Sequence, residues 1–214
     1  MVYCISDIHG EYDRYLAMLE TIQFTDEDTL YILGDVIDRG KQSVETLLDI
    51  MERPNVHMLL GNHEYMCLAT LGPNSEVGAR HLWQQNGGSA TRSELLFGNA
   101  KIHRSKIIRF LSELPDHMDI TVGQKHFHLV HGYPSTDKNE RIWNRPTKNE
   151  DIPMPGAIVI VGHTPTVYLN GDDGQPQRIW RGNGIIDIDC GCGHKTELRR
   201  LACLRLDDMA EFYH

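Results

Sequence analysis

Short apolar runs alternate with stretches of helical periodicity in the first sixty residues. The runs at residues 2–5, 29–33 and 56–60 have the length of buried strands. Between them, apolar side chains recur at helical spacing over residues 12–22 and 44–51. This order of elements predicts neighbouring parallel strands with helices packed on the sheet.

The pattern changes twice in the rest of the chain. From about residue 70 to 115 it is helical, with a break at residues 86–88 and an end at Pro115. From His117 onward we expect strands and loops only. The first two strands form a hairpin that turns at residues 123–124, and residues 134–155 form one long loop. Further strands are predicted at residues 157–161, about 177–181, 185–189 and 199–206.

Composition limits the classes of partner. The 214 residues are enough for one domain, and we expect a single domain over 1–214. A formal net charge of −9 argues against a broad grip on nucleic acid or on an anionic membrane. It does not exclude a local positive site, because bound metals supply charge that a residue count omits.

The sequence favours a cytoplasmic location. The first residues lack a leader-like pattern, and no stretch has the apolar length needed to span a bilayer. The five cysteines are odd in number and show no disulfide spacing. Cys190 and Cys192 could form a redox or metal pair, but we favour a turn of small residues after a strand.

Five strand-like runs each finish in polar groups that can bind metal or move a proton. The densest is the turn Gly34-Asp35-Val36-Ile37-Asp38-Arg39-Gly40, which follows one predicted strand and precedes a helix. Open α/β sheets place their sites at such carboxyl ends of strands. The groups that end the five runs are Asp7 and His9, then Asp35, Asp38 and Arg39, then Asn62 and His63, and finally His131 and His163.

If these groups converge, they can hold two divalent ions roughly 3.5–4 Å apart. One ion would take Asp7, His9 and Asp35, and the other would share Asp35 and add Asn62, His131 and His163. Carboxylate, amide and imidazole donors without thiolate suit manganese, iron or zinc better than a soft metal, and they do not select among these three. Manganese is the expected metal, with iron, zinc, nickel or magnesium as alternatives. A water that bridges two such ions loses a proton easily and becomes a nucleophile.

The remaining polar groups fit the handling of a phosphoryl group. His63 is placed to protonate a leaving oxygen, held by Asp38, while Arg39 and Arg145 can neutralise phosphate oxygens. We expect Trp83 to be a core residue rather than a substrate contact. No site role is given to the other eight histidines, which are His57, His81, His103, His117, His126, His128, His194 and His214.

The joint motif set resembles the calcineurin-like metallophosphoesterases. It consists of Asp-x-His at residues 7–9, the Gly-Asp-x-x-Asp-Arg-Gly turn at 34–40, Gly-Asn-His-Glu at 61–64 and the two later histidines. The intact turn is similar to that of the phosphoprotein phosphatase branch. The segments around Trp83 and at residues 142–145 resemble the bacterial and lambda-phage type serine/threonine protein phosphatases.

This resemblance implies an α/β fold, a two-sheet β sandwich flanked by helices in four layers (α/β/β/α). It implies a dimetal site at the sheet edges, direct hydrolysis by water, and a helical insertion at about residues 70–115 that covers one side of the site. It agrees with the roles given to Asp38, Arg39, His63 and Arg145. The expected partner is a phosphoprotein or a small phosphoester, and the oligomeric state stays open.

Departures from the pattern leave the substrate open. Residues 187–192 resemble the cysteine-bearing turn of symmetrical diadenosine tetraphosphatases, so hydrolysis of dinucleoside polyphosphates is the alternative. That branch tends to alter the second acid of the Gly-Asp turn and to carry aspartate after Asn-His. Asp38 and Glu64 therefore favour a phosphoprotein phosphatase. A non-catalytic scaffold is a third hypothesis, which the complete set of predicted ligands disfavours.

Overall fold

A computed structural model describes residues 1–149 and 153–214, and they form two five-stranded sheets. The first sheet has the order β10-β9-β1-β2-β3, with β1 parallel to β2 and β2 parallel to β3. The predicted βαβαβ unit is therefore confirmed. Its strands are β1 (Val2–Ile5), β2 (Thr29–Ile32), β3 (Val56–Met58), β9 (Ala202–Arg205) and β10 (Glu211–Tyr213).

The second sheet has the order β4-β5-β6-β8-β7. The predicted hairpin joins β4 to β5 in antiparallel register, and Gly123 supplies the left-handed backbone at its turn, with φ of 61°. β6 lies parallel to both β5 and β8. The strands are β4 (His117–Val122), β5 (Lys125–Val130), β6 (Ile158–Val161), β7 (Trp180–Arg181) and β8 (Ile185–Asp187).

Eight helices complete the described residues. The predicted helices of the first sixty residues are α1 (Tyr12–Thr21) and α2 (Ser43–Glu52). The helical stretch then begins at residue 62, earlier than the predicted residue 70, because Glu64 at its third position accepts the Gly61 N–H. It contains α3 (Asn62–Leu71), α4 (Ala79–Gln85), α5 (Ser89–Phe97), a 3-10 turn (Asn99–His103) and α6 (Arg104–Ser112).

The prediction of strands and loops only after His117 is wrong at two places. Residues 138–143 of the predicted loop form α7 (Lys138–Trp143), because Asp137 caps the N–H groups of Asn139 and Glu140. The other helix is the single turn α8 (Val167–Asn170). Residues 150–152 of the same predicted loop lie outside the described residues. The sequence pattern also missed β10, which pairs antiparallel with β9.

Side chains that alternate along each strand build separate apolar layers. Tyr3 and Ile5 face the helices α1, α2 and α6, whereas Cys4 between them faces the second sheet. Phe127 and Leu129 of β5 belong to the same apolar cluster as Cys4, between the two sheets. Val130, Val159 and Trp180 pack on the far side of the second sheet, together with Leu169 of α8. The result is the two-sheet sandwich flanked by helices that the family resemblance implies.

Stacking the two sheets brings the carboxyl ends of their central strands to one edge. The N–H of His163, just after β6, donates to Asp7 Oδ2, just after β1, at 2.9 Å. Gly162 packs so closely on Ser6 and Asp7 that a Cβ there would lie 2.0 Å from the Ser6 hydroxyl. Loops from both sheets therefore meet at this edge. Within the described residues, no helix has the length and hydropathy needed to cross a bilayer.

Candidate functional site

The loops at this edge contain non-glycine residues with left-handed backbone conformations. Eight non-glycine residues of the described chain have positive φ, and six of them are predicted site residues. Those six are Asp7, His9, Asp35, Asp38, Arg39 and His163, with φ between 49° and 74°. Each such conformation costs about 1–3 kcal/mol and persists only where the surroundings enforce it. The strain is therefore concentrated where five chain segments aim polar groups at one point.

Backbone hydrogen bonds and one buried carboxylate enforce these conformations. The N–H groups of Asp7 and His9 donate to the carbonyls of Gly34 and Asp35, which joins the loops after β1 and β2. Glu64, fully buried in α3, accepts the N–H groups of Asp35 at 2.8 Å and Val36 at 2.9 Å. Burial, followed by the nearby Asp35, raises the pKa of Glu64 to about 7. Glu64 thus positions the Asp35 turn.

The six predicted metal ligands converge. His9 Nε2 lies 3.8 Å from Asp7 Oδ1 and 3.7 Å from Asp35 Oδ2. On the other side, His131 Nε2 lies 3.3 Å from Asp35 Oδ1 and 3.1 Å from Asn62 Oδ1. Two donors that bind one ion at about 2.1 Å are at most about 4.2 Å apart. Asp35 therefore directs one oxygen to each half of the set. The ring of His163 completes it, centred 5.0 Å from that of His131.

The histidine ring nitrogens fit metal binding. Nδ1 of His9 faces the Ile37 carbonyl at 3.0 Å, and Nδ1 of His131 faces the Leu33 carbonyl at 2.8 Å. His163 is reversed, with Nε2 3.2 Å from the Trp143 carbonyl. A carbonyl fixes the proton on the nitrogen that faces it and leaves the other nitrogen as a ligand. In His9 and His163 that other nitrogen is available to a cation, whereas Nε2 of His131 faces Asp35 and Asn62 and would exchange a proton for the cation.

The pKa values show the same preference for a cation. Burial, then the charges of neighbouring groups, lowers the pKa of His9 well below its usual range and that of His163 to about 2. Both rings therefore stay neutral, as ligands must be. Burial opposes charge on His131, but the Asp35 carboxylate outweighs it and raises the pKa of His131 to about 9. A bound metal ion would supply the positive charge that balances the Asp35 carboxylate in place of a protonated His131.

A second buried group lies beside these donors. His63 Nδ1 is 2.7 Å from Asp38 Oδ2, and the Trp83 indole donates to that same oxygen at 2.6 Å. Burial lowers the pKa of His63, but Asp35 and Asp38 outweigh it and raise the pKa. Arg39 Nη2 donates to His63 Nε2 at 3.2 Å. His63 is therefore a fully buried imidazole that is held by a carboxylate at Nδ1 and contacted by a guanidinium at Nε2.

His63 also has the geometry of a ligand. Its ring, His9 and Asp35 present atoms that all lie within 4.8 Å of one another, as do those of Asp35, His131 and His163. Distance alone therefore allows His63 to take the place that we predicted for Asp7. The hydrogen bond to Asp38 fits both roles, because a metal-bound histidine also donates its second N–H to a carboxylate, and the same bond stabilises the protonated imidazole that a general acid needs.

The helical insertion supports this group directly. Gly88 lies flush on the Trp83 indole, where a Cβ would approach within 2.2 Å. The carbonyl of Gly87 accepts the Arg39 N–H at 3.4 Å. Thr91 Oγ1 donates to Ser43 Oγ, which accepts the N–H of Asp38 at 2.9 Å. The break between α4 and α5 is therefore a contact surface for the segment that carries Asp38 and Arg39.

Arg39 and Arg145 are exposed and line one open cavity of about 690 Å³ together with Asn62 and His163. The bidentate ion pair of Arg141 with Asp116, at 3.0 and 2.9 Å, ties α7 to the end of the insertion. Arg145 itself donates to the His163 carbonyl at 2.7 Å. The segment that carries Arg145 is thus anchored at both ends. Its remaining guanidinium donors face an open space suited to an anion.

Sequence reasoning missed several residues of this site. Trp83 is buried as predicted, but it also donates to Asp38, and only its proximity to Asn86-Gly87-Gly88 could have suggested this. His194, given no site role, lines the cavity with Arg39 and Arg145. Asp189 is a buried acid whose pKa is raised well above its usual range by burial and then by Asp7. No local pattern indicated these last two contacts.

Comparisons with known proteins agree with this geometry. The family model of the calcineurin-like phosphoesterases matches residues 1–194. The symmetrical bis(5'-nucleosyl)-tetraphosphatase of Salmonella typhimurium is 42% identical over 69 residues, which cover 31% of this chain and 24% of that enzyme. The match thus spans about a quarter of the length of this relative.

Solved structures share the fold at low sequence identity. A protein described as a candidate diadenosine tetraphosphatase has a TM-score of 0.62 at 17% identity, covering 100% of this chain and 92% of that one. A serine/threonine phosphatase from Saccharomyces cerevisiae gives 0.62 at 13%, covering 100% and 78%. A protein-tyrosine phosphatase from a Shewanella species gives 0.60 at 18%, covering 99% and 79%. The family model matches most of this chain, and the solved structures share its fold. The chain therefore belongs to the calcineurin-like phosphoesterase family.

Proposed function

We propose that this protein is a dimetal-dependent phosphoprotein phosphatase that hydrolyses phosphate monoesters of serine and threonine, with tyrosine as a further substrate. The observation that carries the proposal is the position of Arg39 and Arg145. Both guanidinium groups line one cavity that also exposes the predicted ligands Asn62 and His163. A terminal phosphoryl group offers three oxygens, and two arginines beside a cation site can bind all of them.

In this proposal Asp7, His9 and Asp35 hold one ion, and Asp35, Asn62, His131 and His163 hold the other. Manganese is the expected metal, and the carboxylate, amide and imidazole donors suit it as they suit iron or zinc. When bound, the ions would lower the pKa of a water molecule and balance charge on the phosphoryl group. Asp35 would orient both halves of the site, since its two oxygens face different histidines, at 3.7 Å for His9 and 3.3 Å for His131.

His63 would then donate the proton from Nε2 to the leaving oxygen. Asp38 accepts the Nδ1 proton at 2.7 Å and so stabilises the imidazolium, whose second proton, on Nε2, is the one to be transferred. The Arg39 guanidinium donates to Nε2 at 3.2 Å, so Nε2 carries no proton in this arrangement. A bound phosphoryl group would draw Arg39 to its own oxygens and leave Nε2 free to take up a proton from solvent and then donate it.

Hydrolysis of dinucleoside polyphosphates is the second candidate. It is favoured by the 42% identity over 69 residues to a symmetrical bis(5'-nucleosyl)-tetraphosphatase. The cavity beside the arginines has apolar walls from Trp143, Pro146, Pro165 and Leu169, which suit a nucleoside base as well as a peptide side chain. The intact Asp38 and Glu64 favour the first candidate.

A substrate panel tests the choice. Phosphoserine, phosphothreonine and phosphotyrosine peptides and diadenosine tetraphosphate would be offered to one preparation, with Mn, Mg, Zn and Ni supplied in turn. We expect the highest kcat/KM on a phosphopeptide with manganese. Much faster hydrolysis of the dinucleotide than of any phosphopeptide would replace the first candidate with the second. No turnover with any metal on any substrate would contradict both.

A further inference from the structure

A second cavity, of about 720 Å³, adjoins the first. Arg39 and His194 line both cavities and so form the boundary between them. The further lining contains Lys41 and Gln42 at the start of α2, and Lys195 and Arg199 from the segment after β8. A substrate whose phosphoryl group reached Arg39 would therefore have this second cavity next to it.

The lining of the second cavity is positive, although the chain is acidic. Arg39, Lys41, Lys195 and Arg199 are four cations against two carboxylates, Glu11 and Asp13, which gives +2. The whole chain carries −9. A positive cavity in an acidic protein concentrates anions at that place only.

Among the described residues, only Arg199 of these four cations has an acidic partner, and Arg39, Lys41 and Lys195 have none. Glu11 is bound by Arg199 at 3.1 Å, and Arg14 lies 4.0 Å away. No carboxylate of the described residues lies within 4.0 Å of either lysine amine, and both Lys41 and Lys195 are exposed. Their ammonium groups are therefore available to an incoming ligand.

The bottom of the second cavity is formed by backbone whose position is fixed. A Cβ on Gly193 would lie 2.3 Å from the His9 ring, and one on Gly40 would lie 2.3 Å from the His9 carbonyl. Only glycine fits at these positions, so the backbone at the bottom of the second cavity lies directly against His9. Arg199 donates to the carbonyls of Cys192 and His194 and fixes the chain that carries Lys195. Burial, then the charges of Arg39 and Arg145, lowers the pKa of His194, which places that ring in the same positive field.

We propose that the second cavity is an anion subsite, in which Lys41 and Lys195 bind an acidic or phosphorylated residue that flanks the phosphorylated residue of a peptide substrate. This inference rests on the proposed phosphatase function and deepens it by naming the substrate class. It predicts a preference for acidic phosphopeptides over neutral ones of the same length.

The test compares two double variants. Lys41→Gln with Lys195→Gln removes both lysines of the subsite, and Lys101→Gln with Lys106→Gln removes the same charge from exposed positions of the helical insertion that line neither cavity. Each protein is assayed on an acidic phosphopeptide, a neutral phosphopeptide, diadenosine tetraphosphate and p-nitrophenyl phosphate, at low and high salt.

We expect wild type to prefer the acidic peptide by roughly 3- to 10-fold in kcat/KM, as two partly screened charge pairs would give. The subsite variant should lose that preference through KM, whereas the control variant should keep it. Salt should reduce the preference in wild type. Turnover of p-nitrophenyl phosphate, which has no second anion, should stay within about twofold in both variants and reports on the phosphoesterase centre itself.

Two results would overturn the inference. An unchanged acidic preference in the subsite variant would show that the cavity does not bind the flanking residue. A loss confined to diadenosine tetraphosphate would assign the subsite to a polyphosphate chain instead. Absence of phosphopeptide turnover in wild type, with p-nitrophenyl phosphate still hydrolysed, would contradict the proposed phosphatase function itself.

Discussion

The site has a buried floor and an exposed rim, and these two regions differ in what they can control. We define the floor as the six predicted metal ligands with His63, all at most 7% exposed. The rim consists of Arg39 and Arg145, both exposed. Positive φ occurs in both regions, at Asp7, His9, Asp35 and His163 of the floor and at Arg39 of the rim. The regions differ because the floor side chains are buried against one another, whereas the rim guanidinium groups line the open cavity. The floor is thus suited to chemistry common to all substrates, and the rim to distinguishing between them.

Physical chemistry gives the two regions different tolerance to change. A buried charge or hydrogen-bonding group that loses its partner costs about 1–5 kcal/mol. An exposed ion pair contributes about 0–1 kcal/mol. Substitutions in the floor should therefore reduce activity on every substrate, whereas substitutions in the rim should change the ratio between substrates.

The largest effect is expected for Asp35→Asn. The substitution keeps the shape of the side chain but removes the charge shared by both halves of the floor. Turnover should be lost on every substrate, and bound metal should fall at both sites, as measured by elemental analysis of the purified protein. Asp172→Asn, at an exposed acid of a turn, is the matched control and should keep both. Two tightly bound metals with full turnover in Asp35→Asn would contradict the dimetal proposal.

His63→Asn should reduce turnover by roughly 10²–10⁴-fold while metal content stays near normal, because the side chain is proposed as an acid and not as a ligand. The loss should be smaller for p-nitrophenyl phosphate, since its leaving group does not require a proton. Equal losses on good and poor leaving groups, or a loss of metal, would instead indicate that His63 is a ligand, as its distance to Asp35 of 3.8 Å allows.

Trp83→Phe should lower turnover by roughly tenfold, because it removes a hydrogen bond to the charged Asp38 while keeping an aromatic ring. Its dependence on the leaving group should match that of His63→Asn, only weaker. Trp180→Phe is a suitable control, since Trp180 is also buried but packs on the far side of the second sheet. If both variants lost stability alike and Trp83→Phe kept the wild-type leaving-group dependence, Trp83 would be a packing residue only.

The effect in the rim should depend on the substrate, and it is the smallest on substrates other than a phosphopeptide. Arg145→Ala should reduce kcat/KM by roughly tenfold on a phosphopeptide and by less on diadenosine tetraphosphate, because inner phosphates have fewer free oxygens. Arg145→Lys should recover little, since lysine keeps the charge but not the planar fork. Equal losses on both substrates would place Arg145 with the floor, as an anchor of His163 rather than as a clamp.

Much of the floor could be predicted because its signals are local. Each predicted ligand follows a short apolar strand, and each strand can be recognised from a run of consecutive apolar residues. The beginning of α7 was also encoded locally, by the Asp137 cap, but the high content of proline, asparagine and charge around it obscured that signal. Position within one loop, however, does not predict which loops meet.

The sequence by itself determined the parallel βαβαβ unit, the chemical types of the predicted ligands and their places at strand ends, since all of these depend on residues close together in the chain. Only the tertiary structure decided that His163 lies beside Asp7, a contact that spans 156 positions. It also decided that Trp83 binds Asp38 and that His194 and Lys195 line one cavity with Arg39. These contacts form because two sheets and a helical insertion pack against one another, and that packing brings together side chains whose own surroundings in the chain contain no sign of their partners.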